Sequence, residues 1–159
     1  MTKLTHLDAE GRARMVDVTD KAETERVAIA KGSVVMKPET IELILGSKVK
    51  KGDVLTVAHL AGITGAKRTA DLIPLCHPLN LTSIQVELSV DEDRNAVDIE
   101  ATAKLTGRTG VEMEAMTAVA VAALTVYDMC KAADRTMCLT DIYLTHKSGG
   151  KSGTYEANR

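Results

Sequence analysis

Three observations predict an α+β fold for this chain of 159 residues. Residues 83–90 (SIQVELSV) and 97–105 (VDIEATAKL) alternate apolar and polar side chains with the period of strands, around a charged and polar DEDRNA turn. Residues 111–132 (VEMEAMTAVAVAALTVYDMCKA) carry no charge between Glu114 and Asp128, which predicts one helix with its middle buried on nearly every side. The elements around these segments run strand, two helices, hairpin, helix, strand. Such a string closes most simply as a four-stranded antiparallel sheet with helices packed on one face.

The chain justifies these elements in order. Residues 1–14 show no sustained period and predict a flexible arm, ordered by contact with something else, and MVDV at 15–18 predicts a short strand carrying Asp17. Thr24 to Met36, with Val27, Ile29, Val34 and Val35, predicts a strand bulged at Lys31-Gly32. Pro38 suits the first turn of a helix that Gly46 terminates. KVKKGDV at 48–54 is a basic linker, after which Asp53 is placed to cap a second helix reaching about Ala70. Gly62 and Gly65 are expected to bend or weaken that helix. In DLIPLCHPLN at 71–80, Pro74 and Pro78 bracket Leu75-Cys76-His77 and predict a stiff loop. GRTG at 107–110 leads into the long helix, and MCLTDIYLTH at 137–146 predicts the last strand. The tail, 148–159, is rich in glycine, serine and lysine and is expected to be mobile unless a ligand orders it. The predicted architecture is thus ferredoxin-like, with residues 1–159 forming a single domain.

Composition narrows the function classes. A hydrophobic content of 45% supports one sizeable core, and a net charge of -2 gives no global attraction to nucleic acid or to an anionic membrane. Cys76, Cys130 and Cys138 form an odd set without a CxxC pair, and the amino terminus lacks the apolar run of a signal peptide, so a reducing, cytoplasmic location is expected. The longest apolar stretch, Ala115 to Val126, falls short of the roughly 20 residues that span a bilayer and predicts a core helix. Stacking of single-stranded nucleic acid on aromatic platforms is worth about 1–3 kcal/mol per base. Three tyrosines, without phenylalanine or tryptophan, provide almost nothing for it.

The long helix is ionisable at both ends. Glu112 and Glu114 occupy its first turn, where the helix dipole favours carboxylates, and Asp128 and Lys131 share one face near its other end. At about 1.5 Å per residue, Glu114 and Asp128 lie roughly 21 Å apart. If both ends serve one reaction, either the ligand is long or two copies of the helix pack antiparallel. Alanines at 115, 118, 120, 122 and 123 allow such close approach, or alternatively let the helix lie tightly on its own sheet. Lys48, Lys50, Lys51, Lys67, Arg68, Arg108, Lys147 and Lys151 cluster where the predicted structure turns, and convergence of several would bind a triphosphate. Taken singly, each is an ordinary solvated cation. The GGKS of the tail is not a P-loop, because Thr145 stands where the first glycine is required. Cys76 and His77 beside Glu112 or Glu114 are residue types that bind zinc, but the remaining histidines are scattered and no metal is expected. His77 is read as a positioned hydrogen-bonding group or as a loop filler. Asp128 and Lys131 are a surface ion pair or an acid-base pair.

Several stretches together resemble one family: KGDV at 51–54, AKRTADLIPLCHPL at 66–79, TGRTGVEMEAMTA at 106–118, YDMCKA at 127–132 and KSGGKSG at 147–153. With THLDAEGRARMVDVTDKAETER near the start, the chain resembles over nearly its full length the MoaC family, the cyclic pyranopterin monophosphate synthases of molybdenum cofactor biosynthesis. The resemblance implies a ferredoxin-like fold and a homohexamer, built as a trimer of dimers with active sites at subunit interfaces. It implies a lyase acting on (8S)-3',8-cyclo-7,8-dihydroguanosine 5'-triphosphate, which yields cyclic pyranopterin monophosphate and diphosphate. No cofactor is implied, although Mg2+ could accompany the triphosphate as a counterion. Carried onto this sequence, the catalytic aspartate is Asp128, with Lys131 and Lys51 as acid-base and phosphate-binding partners. Leu75, Cys76, His77, Met113 and Glu114 match the substrate-binding segments, and Glu112, Arg26, Asp17, Lys67 and Lys147 are further candidates. Two rivals predict other things: a regulatory nucleotide-binding module would bind without turnover, and an RNA-binding domain would carry aromatics on residues 83–90 and 97–105, where there are none.

Overall fold

Small apolar residues repeating at every second position build the centre of the molecule. The structure, a computed structural model, describes residues 4–46 and 53–159. The expected catalytic Lys51, with Lys48 and Lys50, lies outside the described residues. The elements run β1 (Thr24–Val35), α1 (Pro38–Leu45), α2 (Val54–Lys67), α3 (Thr69–Leu72), β2 (Ser83–Asp91), β3 (Ala96–Gly107), α4 (Glu112–Cys130), β4 (Cys138–Ser148) and β5 (Tyr155–Glu156). In the register of β1 with β3, Ala28 faces Ala103, Ala30 faces Ala101 and Val34 faces Val97, all buried. The opposite face carries exposed charge, including Lys31 paired with Glu100 at 3.0 Å and Arg94 with Asp98 at 2.9 Å. One face is therefore the core and the other meets solvent.

The sheet is open and antiparallel, in the order β2-β3-β1-β4-β5. It has five strands where the sequence predicts four. The fifth comes from the tail: Lys147 pairs with Tyr155 and His146 with Glu156, and the Ala157 amide donates to the Thr145 carbonyl at 2.9 Å. Two paired residues are too few to leave a period in the sequence. The bulge expected in β1 at Lys31-Gly32 lies on its neighbour instead: β1 pairs with β3 without a break, and the register shifts against β4, between Ile29 and Ala30 and between Lys31 and Ser33, each leave an extra residue on β4.

Two local expectations are corrected. Residues 15–18 form no strand; the Asp17 carboxylate instead accepts the Thr19 hydroxyl at 2.6 Å and the Thr19 amide at 2.9 Å, a local turn that competes with sheet pairing. Asp53 does cap α2, accepting from the Leu55 and Thr56 amides, but that helix ends at Lys67 and restarts as α3. α2 runs as one helix through Gly62 and Gly65. They permit contact: a Cβ at 62 would stand 3.1 Å from the Ala118 carbonyl oxygen, and one at 65 would stand 2.8 Å from a Val121 methyl. α2 thus lies directly against α4.

Ala115, Ala118, Ala122 and Ala123 of α4 are fully buried, and α4 packs on α2, β1 and β3 of its own chain. These four alanines serve the intrachain contact, whereas Ala120 is only half-buried, and α4 is a core helix as expected. Its C-terminal side is fastened by Asp134, which is buried, and whose carboxylate accepts from the Lys37 and Thr136 amides at 3.0 and 2.8 Å and from the Thr136 hydroxyl at 2.6 Å. The Thr136 hydroxyl and the Lys37 amide hold this carboxyl down at about 2. Because the folded value lies below the ordinary carboxyl value of about 3.9, the stabilisation is present above that pH and is lost as pH falls towards 2.

Replacement Asp134→Ala is therefore expected to cost about 2–3 kcal/mol in urea unfolding at pH 7, since it strips buried amides of their acceptor. The gap between wild type and variant should close between about pH 4 and pH 2. A gap that persists in acid would show that the carboxylate is not the fastener.

Candidate functional site

The first turn of α4, the proline-bracketed loop and the N-terminal segment meet around a cavity of about 350 Å³. Pro74 and Pro78 stiffen the loop that presents Leu75, Cys76 and His77, and Glu112, Met113 and Glu114 enter from the helix. Val16 and Val18, freed from any sheet, supply part of the wall, with His6 and Lys21 beside them. Six of the residues singled out in the sequence thus converge.

Glu114 is the electrostatic centre of this cavity. Its side chain is only 4% exposed, and burial, reinforced by the neighbouring Glu112 charge, pushes its carboxyl up to about 7. Burial and the Glu114 charge also raise the Cys76 thiol. Asp17 lies nearby and is held low, chiefly by the Thr19 hydroxyl and with a smaller contribution from His77. A carboxyl that changes charge near neutral pH can accept or donate a proton and can bind the N–H edge of a nitrogen heterocycle.

A second cavity, of about 850 Å³, adjoins the first and shares Thr5, Lys21, Thr109, Gly110 and Glu112 with it. Its walls carry Lys21, Arg26, Arg108, Lys147 and Lys151. Arg26 is 8% exposed, and its Nε donates to the Gly107 carbonyl at 3.3 Å. Lys147 stands 3.1 Å from the Glu112 carboxylate and donates to the Ser152 hydroxyl at 2.6 Å. The turn between β4 and β5 folds over this cavity because Gly149 and Gly150 adopt left-handed φ of 96° and 74°. A side chain at either would collide with the Glu25 carbonyl or the Arg26 guanidinium. Five cations around one space suit a polyanion.

The remaining candidates lie elsewhere. Lys131 Nζ is 2.6 Å from Asp128 Oδ1, both half-exposed at the far end of α4, so within one chain this pair and Glu114 are separated by roughly 21 Å of helix. Lys67 is exposed in the last turn of α2 and lines neither cavity. Sequence reasoning did not single out His6 and Lys21, which sit in a stretch without periodicity and are delivered to the site by an irregular segment. Arg108 and Lys151 were visible only as members of scattered basic clusters.

A family model described as the MoaC family matches residues 15–150. A protein of Dinoroseobacter shibae named cyclic pyranopterin monophosphate synthase is 64% identical over 99% of both chains. Proteins of the same name from Rhodospirillum rubrum and Desulforapulum autotrophicum are 65% and 59% identical, covering 98% and 100% of this chain and 93% and 98% of theirs.

Glu114 carries a testable linkage. Its folded value lies above the ordinary carboxyl value, so the folded state loses stability as pH rises from about 4.5 to 7. Replacement Glu114→Gln should therefore be nearly neutral at pH 5 and should raise stability relative to wild type by on the order of 2 kcal/mol at pH 8, measured by urea unfolding. An unchanged difference between the two pH values would place the group near the ordinary range.

Proposed function

The chain belongs to the MoaC family, and on that premise we propose that it is a cyclic pyranopterin monophosphate synthase, a lyase of molybdenum cofactor biosynthesis. Its substrate is (8S)-3',8-cyclo-7,8-dihydroguanosine 5'-triphosphate, and its products are cyclic pyranopterin monophosphate and diphosphate. One observation carries the assignment: a pocket centred on a buried carboxyl opens onto a cavity ringed by cations. That pair of environments matches a guanine-derived ring joined to a triphosphate.

In this reading Glu114 accepts from the amidine edge of the ring, with Leu75, Cys76, His77 and Met113 around it. Arg26 and Lys147, together with Lys21, Arg108 and Lys151, take the phosphates. Rebuilding the purine five-membered ring and closing a cyclic phosphate require protons to be moved and diphosphate to leave. Neither step needs a redox cofactor, and Mg2+ enters as a counterion of the triphosphate. Asp128, Lys131 and Lys51 are the acid-base groups. Since Asp128 is roughly 21 Å along α4 from Glu114, it and Lys131 reach the ring from a second copy of the chain. This supports active sites at subunit boundaries, and the resemblance to the family implies a homohexamer arranged as a trimer of dimers around them.

The four long strands, in the order β2-β3-β1-β4, support a ferredoxin-like classification with β5 as an addition. Three free cysteines and a small negative net charge support a cytoplasmic protein that binds neither nucleic acid nor membrane.

Incubation with the cyclised nucleotide should release diphosphate, and Asp128→Asn and Glu114→Gln should each lower kcat at least tenfold. Mixing the two variants after dissociation should restore activity towards about a quarter of wild type, because random reassembly rebuilds intact shared sites. Two inactive variants that stay inactive when mixed would place both residues in one chain's site. Tight binding of the nucleotide without turnover would instead indicate a nucleotide-binding module.

A further inference from the structure

Glu112 occupies an unusual position. It lines both cavities, and its carboxylate is 3.1 Å from Lys147 Nζ on the cationic side. On the other side it stands two residues along the chain from the buried Glu114, which shares its pocket with Cys76 and His77 from the proline-bracketed loop and with His6 and Lys21 from the N-terminal segment. Lys147 is therefore held by a carboxylate at the place where an anion would bind. Phosphate oxygens entering the cavity must compete with that carboxylate for the ammonium.

We propose that Glu112 is the exchange partner of Lys147: polyphosphate filling the cationic cavity displaces its carboxylate from the ammonium, and the freed charge makes Glu114 take up a proton from solvent. The inference rests on the reading that this cavity holds the substrate's phosphates. The proton balance is simple. A buffer acid gives one proton to a Glu114 carboxylate oxygen: the O–H bond of the carboxylic acid forms as the donor's bond to that proton breaks, the donor is left as its conjugate base, and no other covalent bond changes. The direction follows from charge: the Lys147 ammonium offsets part of the Glu112 charge that already acts on Glu114, whereas a Glu112 carboxylate parted from it and bound phosphates act with more negative charge and favour the protonated form. In low-dielectric surroundings such repulsion is felt more strongly than in water. The outcome is an acid loaded at the ring end of the site only when the phosphate end is occupied. Glu114 already changes charge at about 7, so a modest push alters its protonation near neutral pH.

Inorganic triphosphate tests this, since it fills the cationic cavity without occupying the ring pocket. Titration calorimetry in buffers of different ionisation enthalpy, just above pH 7, reads the protons taken up on binding. Wild type should take up a fraction of a proton per chain beyond what Glu114→Gln takes up, while that variant still binds triphosphate. Replacement Glu112→Gln should bind triphosphate severalfold more tightly, lacking the competing carboxylate, and should show a smaller uptake. Equal uptake in wild type and Glu112→Gln, or in wild type and Glu114→Gln, overturns the coupling while leaving the phosphate reading intact. Triphosphate that fails to bind, or whose binding is unaffected by Arg108→Ala and Lys151→Ala, overturns the phosphate reading and the coupling with it.

Discussion

The structure depends on how closely α4 can approach the sheet and α2. Fully buried alanines on the helix meet alanines at the centre of β1 and β3, and Gly62 and Gly65 remove the side chains that would hold α2 away. Interiors pack at crystal-like density, so a contact this close is rigid and intolerant of added volume. A helix clamped along its length has little freedom at its ends. The first turn of α4 can therefore carry the Glu112 and Glu114 carboxyl groups into a cavity at fixed positions.

That rigidity has an electrostatic use. Burial disfavours ionisation of Glu114, and the cost is tolerated because packing along the rest of α4 holds the turn in place. A short distance away the cations converge, supplied by the N-terminal segment, β1, the loop before α4 and the hairpin between β4 and β5. Four separate pieces of chain thus gather like charges. Such an arrangement is unfavourable without an anion and becomes favourable when one arrives, which is a general property of polyanion sites.

Much of this could be anticipated from residues in the chain. The alternation of 83–90 and 97–105, the uncharged middle of α4, the cap at Asp53 and the proline bracket around His77 are local signals, and each corresponds to a structural feature. Local misreadings arose where a tertiary partner outweighed a local tendency. Gly62 and Gly65 are weak helix formers taken alone, but against Ala118 and Val121 they are the residues that fit. Residues 15–18 have strand-like composition, yet the Thr19 hydroxyl captures Asp17 and the valines find a cavity wall instead of a ladder.

The sequence by itself determined the α+β class, the buried helix with ionisable ends, and the family resemblance, because these depend on periodicity, composition and matched residue types along the chain. Tertiary structure alone decided that Glu114 is buried, that Lys147 pairs with Glu112, that Lys21 and Arg108 join Arg26, and that the tail contributes a fifth strand. The physical reason is that burial and charge pairing are properties of neighbours far apart in the chain. Lys147 and Glu112 are separated by a helix and a strand, and no period in the sequence records the 3.1 Å between them.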